Sequence, residues 1–129
     1  MIRKYTPLTM NEVRESHGRE GKQAKSAEAK LLLTHLPKGA WAVALDERGA
    51  RMSSASFAAW LGAKREAGVR DLRFVIGGPW GLDPQVARQC NESIRLSDMT
   101  LPYSLARVVF LEQYYRAVTI ALGMPYHND

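Results

Sequence analysis

Leu72-Arg73-Phe74-Val75-Ile76-Gly77-Gly78-Pro79-Trp80-Gly81 decides how the rest of this 129-residue chain is read. The apolar residues Leu72, Phe74, Val75 and Ile76 are of strand type, and Gly77-Gly78-Pro79-Trp80-Gly81 breaks the run. Such a pattern predicts a buried, parallel strand whose carboxyl end meets a glycine turn. In open α/β sheets the ligand crevice lies outside the carboxyl ends of the strands. Glycine there lets backbone approach a ligand because no Cβ intervenes. The same ten residues suit an ordinary strand-to-helix turn equally well.

Working back from that stretch, Trp41–Asp46 (WAVALD) predicts a second buried strand, closed by a turn at Glu47-Arg48-Gly49. A helix between the two strands is predicted from a cap at Ser53 or Ser54, the apolar face Phe57, Ala58, Trp60 and Leu61, and a stop at Gly68. Earlier still, residues 24–36 are strong helix formers, with Ala24, Ala27, Leu31, Leu32 and Leu36 at helical spacing and Pro37-Lys38-Gly39 as the stop. His17–Lys22 places two glycines among charges and reads as a mobile loop; Leu8–Val13 offers a short strand of poor alternation.

Working forward, Asp83-Pro84 matches an N-cap with proline at the first helical position, opening a helix to about Glu92 with Cys90 packed inside it. Residues 93–99 form a brief strand or extended loop. Leu101-Pro102-Tyr103 breaks the chain before its longest helix, 104–122. Leu105, Val108, Val109, Leu111, Tyr115, Val118 and Leu122 on that helix are spaced for two neighbours, and Gly123 ends it before a non-helical tail, 124–129. Strands and helices alternate throughout, which is the α/β pattern with a mostly parallel sheet flanked by helices, in a single domain over 1–129.

Composition narrows the function. The chain holds 46% hydrophobic residues, enough for a core, and no apolar run of membrane-spanning length, so no membrane partner is expected. Its one cysteine excludes an intrachain disulfide, and His17, His35 and His127 are too scattered for a metal site, so a cytoplasmic protein without metal is expected. Residues 1–38 carry eight Lys/Arg against four Asp/Glu, and 39–129 carry ten against nine. A basic amino-terminal third suggests an anionic partner such as nucleic acid, gripped by Arg19, Lys22 and Lys25. A solvated helix face is the more common meaning of that pattern. The turn lacks the Gly-Lys-Ser/Thr of a phosphate loop and the G-x-G-x-x-G of a dinucleotide site, so neither ATP nor NAD is supported. A glycine turn with a second extended segment, 96–101, suits a flat adenine-like ligand held by backbone groups.

The segments FVIGGPWGL, LSDMTLPYSLARVVFLEQYYRA and the closing PYH, together with VALDERG, resemble the SPOUT superfamily of knotted SAM-dependent RNA methyltransferases over about residues 18–127. Within it they resemble the branch that methylates N3 of a pseudouridine in bacterial 23S rRNA. The resemblance implies a carboxyl-terminal trefoil knot over about residues 72–123, although true knots are otherwise almost absent from proteins. It implies S-adenosyl-L-methionine (SAM) as cofactor, lined by Leu45, Gly77, Leu96, Ser97, Asp98, Met99, Thr100 and Leu101. It further implies a homodimer in which the tail of one subunit completes the other's pocket, with Arg116, Tyr126 and His127 in catalytic roles on rRNA within the ribosome. For the leucines plain core packing is an alternative; for Arg116 it is a surface pair with Glu112, and for His127 a disordered end. Members usually begin with a further strand and helix, so either the start lies upstream of Met1 or this is a shortened member whose sheet lacks one strand. Two other readings keep part of this pattern: the same chemistry on another rRNA or a tRNA, or a catalytically silent RNA-binding or ribosome-assembly module.

Overall fold

A computed structural model describes residues 21–78 and 81–128. Seven elements follow in order: α1 (Gly21–Thr34), β1 (Trp41–Arg51), α2 (Ser54–Glu66), β2 (Leu72–Ile76), α3 (Pro84–Gln89), β3 (Glu92–Arg95) and α4 (Tyr103–Leu122). The strands form one three-stranded sheet in the order β2-β1-β3. Both pairings are parallel, Trp41 facing Leu72 and Leu45 facing Ile76 on one side, Val43 facing Glu92 and Leu45 facing Ile94 on the other. The predicted parallel α/β sheet flanked by helices is therefore present. The predicted strand at Leu8–Val13 lies outside the described residues, as does the loop at 17–20.

The central strand is apolar at every position from Ala42 to Leu45 because it is covered on both faces. Side chains alternate across a strand. Val43 and Leu45 enter one core with Phe57, Ala58 and Leu61 of α2, Ile94 of β3, and Phe110 and Ala117 of α4. Ala44 enters the other, with Ala29 of α1, Val75 of β2, Leu82, and Val86 of α3. The first core is aromatic: Phe74 sits 4.7 Å from Phe110 and 6.2 Å from Phe57, centroid to centroid, in tilted and edge contacts. Such geometry matches the ring quadrupoles.

Local signals set most boundaries. The Ser53 hydroxyl accepts from the N–H of Ser56 and caps α2. Asp83 accepts from Gln85 N–H, with Pro84 opening α3. Gly123 ends α4 at φ 72°, a left-handed conformation that glycine adopts without a Cβ clash.

Four expectations are corrected. Helix α1 starts at Gly21, so Gly21 and Lys22 are helical and not part of a loop. The turn predicted at Glu47-Arg48-Gly49 is instead an irregularity within β1. Both Leu45 and Ala50 oppose Ile94, and Arg51 then pairs with Arg95. Gly49 makes this possible, because a Cβ there would stand 2.6 Å from Ile94 N. Helix α3 stops at Gln89 rather than near Glu92, since Asn91 is drawn into the sheet edge: its N–H donates to Ala42 O, and its Oδ1 accepts from Ala42 N–H. Cys90 consequently caps that helix and is not inside it; burial pushes its thiol pKa up, which suits a packed residue rather than a nucleophile. Lastly, Leu105, Val108 and Tyr115 are exposed rather than buried against a second neighbour of the subunit, although Tyr115 meets the tail's Tyr126 edge-on.

Candidate active site

The carboxyl ends of the strands bring together Leu45 and Asp46 of β1, Gly77 and Gly78 after β2, and Leu96 after β3. Parallel pairing in register does this, because Leu45, Ile76 and Ile94 lie side by side. Leu45 is buried in the core and Leu96 packs against it, so only their backbone groups are available to a ligand. Gly77 has a purpose the sequence did not disclose. A Cβ there would meet not open space but the turn itself, 2.4 Å from Leu82 N and 2.5 Å from Gly81 C. The turn closes through Gly81 N–H donating to Gly78 O at 3.0 Å.

Residues 96–101 run outside any helix or strand, yet their polar side chains are engaged. Asp98 is held from two strands, by Arg51 at 2.6 Å and Arg95 at 3.1 Å. Thr100 Oγ1 donates to Glu47 Oε2, and Ser97 Oγ accepts from Met99 N–H at 3.0 Å. The second half of β1 and the end of β3 thus tie down this segment. Met99 projects with 78% of its surface exposed. A tethered segment of non-ladder backbone with an exposed thioether fits a flat, adenine-bearing group, with backbone N–H and C=O as donors and acceptors. Neither Glu47 nor Arg51 and Arg95 was singled out from the sequence; no motif marks them, since their role depends on strand pairing.

Beside this region, α1 presents Lys25 and Glu28. A Cβ at Gly81 would lie 3.9 Å from Lys25 Nζ. Burial raises the Asp46 carboxyl, but Arg48, which bonds it at 3.0 Å, and the charge of Lys25 more than offset this, leaving it below the ordinary carboxylate range. Lys25 is therefore half-buried against the turn rather than on a free solvated face. Arg19 and the side chain of Lys22 lie outside the described residues.

The three residues assigned catalytic roles by resemblance are gathered on α4 by Glu112. Its carboxylate accepts from Arg116 Nη2 at 2.7 Å, from Arg116 Nε at 3.1 Å and from the Tyr126 hydroxyl at 2.9 Å. Those bonds, Arg116 first, hold the Glu112 carboxyl below its ordinary range, and the same carboxylate raises the Tyr126 phenol. Arg116 Nη1 lies 3.0 Å from His127 Nδ1. Arginine can only donate, so Nδ1 accepts and the imidazole proton is on Nε2. The guanidinium also lies 4.8 Å from the centre of the Tyr126 ring, which meets Tyr115 edge-on at 4.9 Å. The pair of Arg116 with Glu112 is therefore present, and the tail is folded back onto α4 beside it. Together they present an aromatic ring, a ring nitrogen and a guanidinium charge in one place.

Among the described residues no group of His, Cys, Asp and Glu is arranged to hold a metal, and no helix is long and apolar enough to cross a membrane.

Residues 1–127 match the family described as "Predicted SPOUT methyltransferase", and the chain belongs to the SPOUT methyltransferase family. Among curated proteins it is similar to the ribosomal RNA large subunit methyltransferase H of Geobacter sp. (strain M21), 42% identical over 99% of this chain and 83% of that one. The protein of the same name from Rhizobium rhizogenes is 47% identical over 92% of this chain and 74% of its own length. That from Gemmatimonas aurantiaca is 45% identical over 96% and 81%.

Proposed function

We propose that this protein is a SAM-dependent methyltransferase that methylates N3 of a pseudouridine in bacterial 23S rRNA, in the cytoplasm and on the ribosome. The observation that carries this is the clustering of Arg116, Tyr126 and His127 around Glu112, in a chain whose relatives are named for large-subunit rRNA methylation. The donor would be held by backbone of Leu45, Gly77 and residues 96–101, threaded as a trefoil knot; the tethers from Glu47, Arg51 and Arg95 support such a cradle. When bound, SAM supplies an electrophilic methyl on a sulfonium leaving group.

The chain's own residues then have defined work. N3 of a pseudouridine is a weak acid that must lose its proton as the methyl arrives. Arg116, kept charged and oriented by two bonds to Glu112, favours the anion electrostatically. His127 offers Nδ1 as the proton acceptor when Arg116 turns from it to the base edge. Tyr126 offers a ring on which a base can stack. The rest is alignment of nitrogen and methyl. Lys25, with Lys22 and Arg19, would contact RNA phosphates.

A homodimer completes the pocket, one subunit's tail facing the other's donor site. Support comes from Leu105, Val108, Tyr115 and Met124, large apolar side chains left exposed along α4 and just beyond it. Aromatic and aliphatic residues of this kind favour interface cores.

The test is mass spectrometry of 23S rRNA from a strain lacking this protein, with and without the restored chain. One pseudouridine should lose its N3 methyl and regain it. An unchanged modification pattern, or a loss confined to tRNA or to another rRNA base, would replace this target.

A further inference from the structure

Glu28 is a buried acid that none of the chemistry above uses. It lies on α1, one turn after Ala24, on the face that packs toward the sheet, with 8% of its surface exposed. Acids almost never occupy such positions without a partner. It is turned toward the glycine turn, with its carboxylate against the backbone of Gly78. A Cβ on residue 78 would stand 2.5 Å from Oε2 and 2.8 Å from Oε1, so the carboxylate occupies the space a side chain there would take. The two residues are complementary: glycine makes room, and glutamate fills it. Burial raises the Glu28 carboxyl, with the Gly78 backbone acting against it. Across the turn, Gly78 and Gly81 form an isolated antiparallel bridge, and Lys25 of the same helix approaches Gly81. Helix α1 therefore grips both ends of the turn.

We propose that Glu28 is a positioning residue for the methyl-donor site, fixing the glycine turn by packing its carboxylate against Gly78 so that the turn is preformed for the cofactor. This rests on the reading that the donor binds at that turn. Without the carboxylate against Gly78 the turn can take other arrangements, and SAM would then select a minor form. Since Glu28 acts through the turn, the loss falls on donor affinity and not on the chemical step.

The test combines four variants with calorimetric SAM titration, steady-state kinetics and thermal melts. Glu28→Gln keeps the shape of the end group and should bind SAM within about threefold of wild type. Glu28→Met keeps the volume but not that shape, and Gly78→Ala displaces the carboxylate. Each should weaken SAM binding and raise its KM about tenfold, which is about 1.4 kcal/mol, with kcat at saturating SAM within twofold. The double variant Glu28→Met with Gly78→Ala should be no worse than the weaker-binding single, because both break one contact. Met99→Asp serves as the control for the pocket. If wild type does not bind SAM, the donor-site reading fails and this inference with it. If Met99→Asp weakens SAM binding but Glu28→Met and Gly78→Ala do not, this inference alone is overturned. Glu28→Gln binding as weakly as Glu28→Met, or additive losses in the double variant, would also overturn it. Should Glu28→Met fail to fold, Gly78→Ala and Glu28→Gln carry the comparison.

Discussion

Replacing Gly77 with alanine tests what the glycine turn is for. An added Cβ would stand 2.4 Å from Leu82 N, 2.5 Å from Gly81 C and 2.7 Å from Gly81 O. All three are backbone atoms, so no side chain can swing aside; the turn itself must open. Overpacking of this kind costs about 1–3 kcal/mol, and backbone neighbours place this case near 3. Unfolding entropy of roughly 2.1 cal/mol/K per residue gives about 0.27 kcal/mol/K for a chain of this length, so Tm should fall by about 11 °C. Gly62→Ala is the matched control, since nothing lies within 4 Å of its added Cβ and it sits inside α2. Helix propensity alone should stabilise that variant by up to about 1 kcal/mol. Circular-dichroism melts and SAM calorimetry on the same preparations decide the matter. Gly77→Ala should lose stability and donor binding together. A variant that keeps the wild-type Tm but no longer binds SAM would refute this reasoning, and would mean that residue 77 faces the ligand and not its own turn.

Deleting residues 126–129, or making Arg116→Ala, should lower methyl transfer by on the order of a hundredfold or more while SAM affinity stays within a few-fold; normal transfer to ribosomes would remove the tail from catalysis. Leu105→Glu with Val108→Glu places charges on the exposed face of α4, and sedimentation should then show monomers where wild type shows dimers; a wild-type monomer at micromolar concentration would count against the shared pocket. Neutralising Arg19, Lys22 and Lys25 should flatten the log–log salt slope of rRNA binding by about one unit per lost phosphate contact, and an unchanged slope would reduce those residues to a solvated face. Glu92 accepts from the indole N–H of Trp41 at 2.7 Å and of Trp60 at 2.9 Å, and pairs with Lys64 at 2.6 Å. Glu92→Ala strands those donors and should cost about 2–3 kcal/mol. Burial raises the Glu92 carboxyl, but Lys64, Trp60 and Trp41 outweigh it, so the folded protein holds it below its ordinary 4.5. Its contribution is thus full above that value and lost as pH falls through the lower folded value. Acid melts of wild type should steepen there, and those of Glu92→Gln should not.

The sequence alone determined the elements whose signals are local. The apolar run into Gly77 and Gly78, the caps at Ser53 and Asp83-Pro84, and the stop at Gly123 each depend on residues within a turn or two, so each could be read without knowing the neighbours. The family pattern in residues 72–127 likewise pointed to Arg116, Tyr126 and His127, and the structure brings those three together. What tertiary structure alone decided depends on partners far away in the chain. Glu47, Arg48 and Gly49 read as a turn, yet they continue β1, because Ile94 offers its backbone against both Leu45 and Ala50. Helix α3 ends early because Asn91 bonds Ala42, a residue 49 positions before it. Glu92 looks like the end of a helix until Trp41, Trp60 and Lys64 converge on it. No local signal marks Glu28; its role appears only when α1 is laid across the sheet and the acid meets Gly78. Periodicity records which face of an element is apolar; it does not record which polar group will be opposite. Buried donors and acceptors must find partners, and only the packed chain names them.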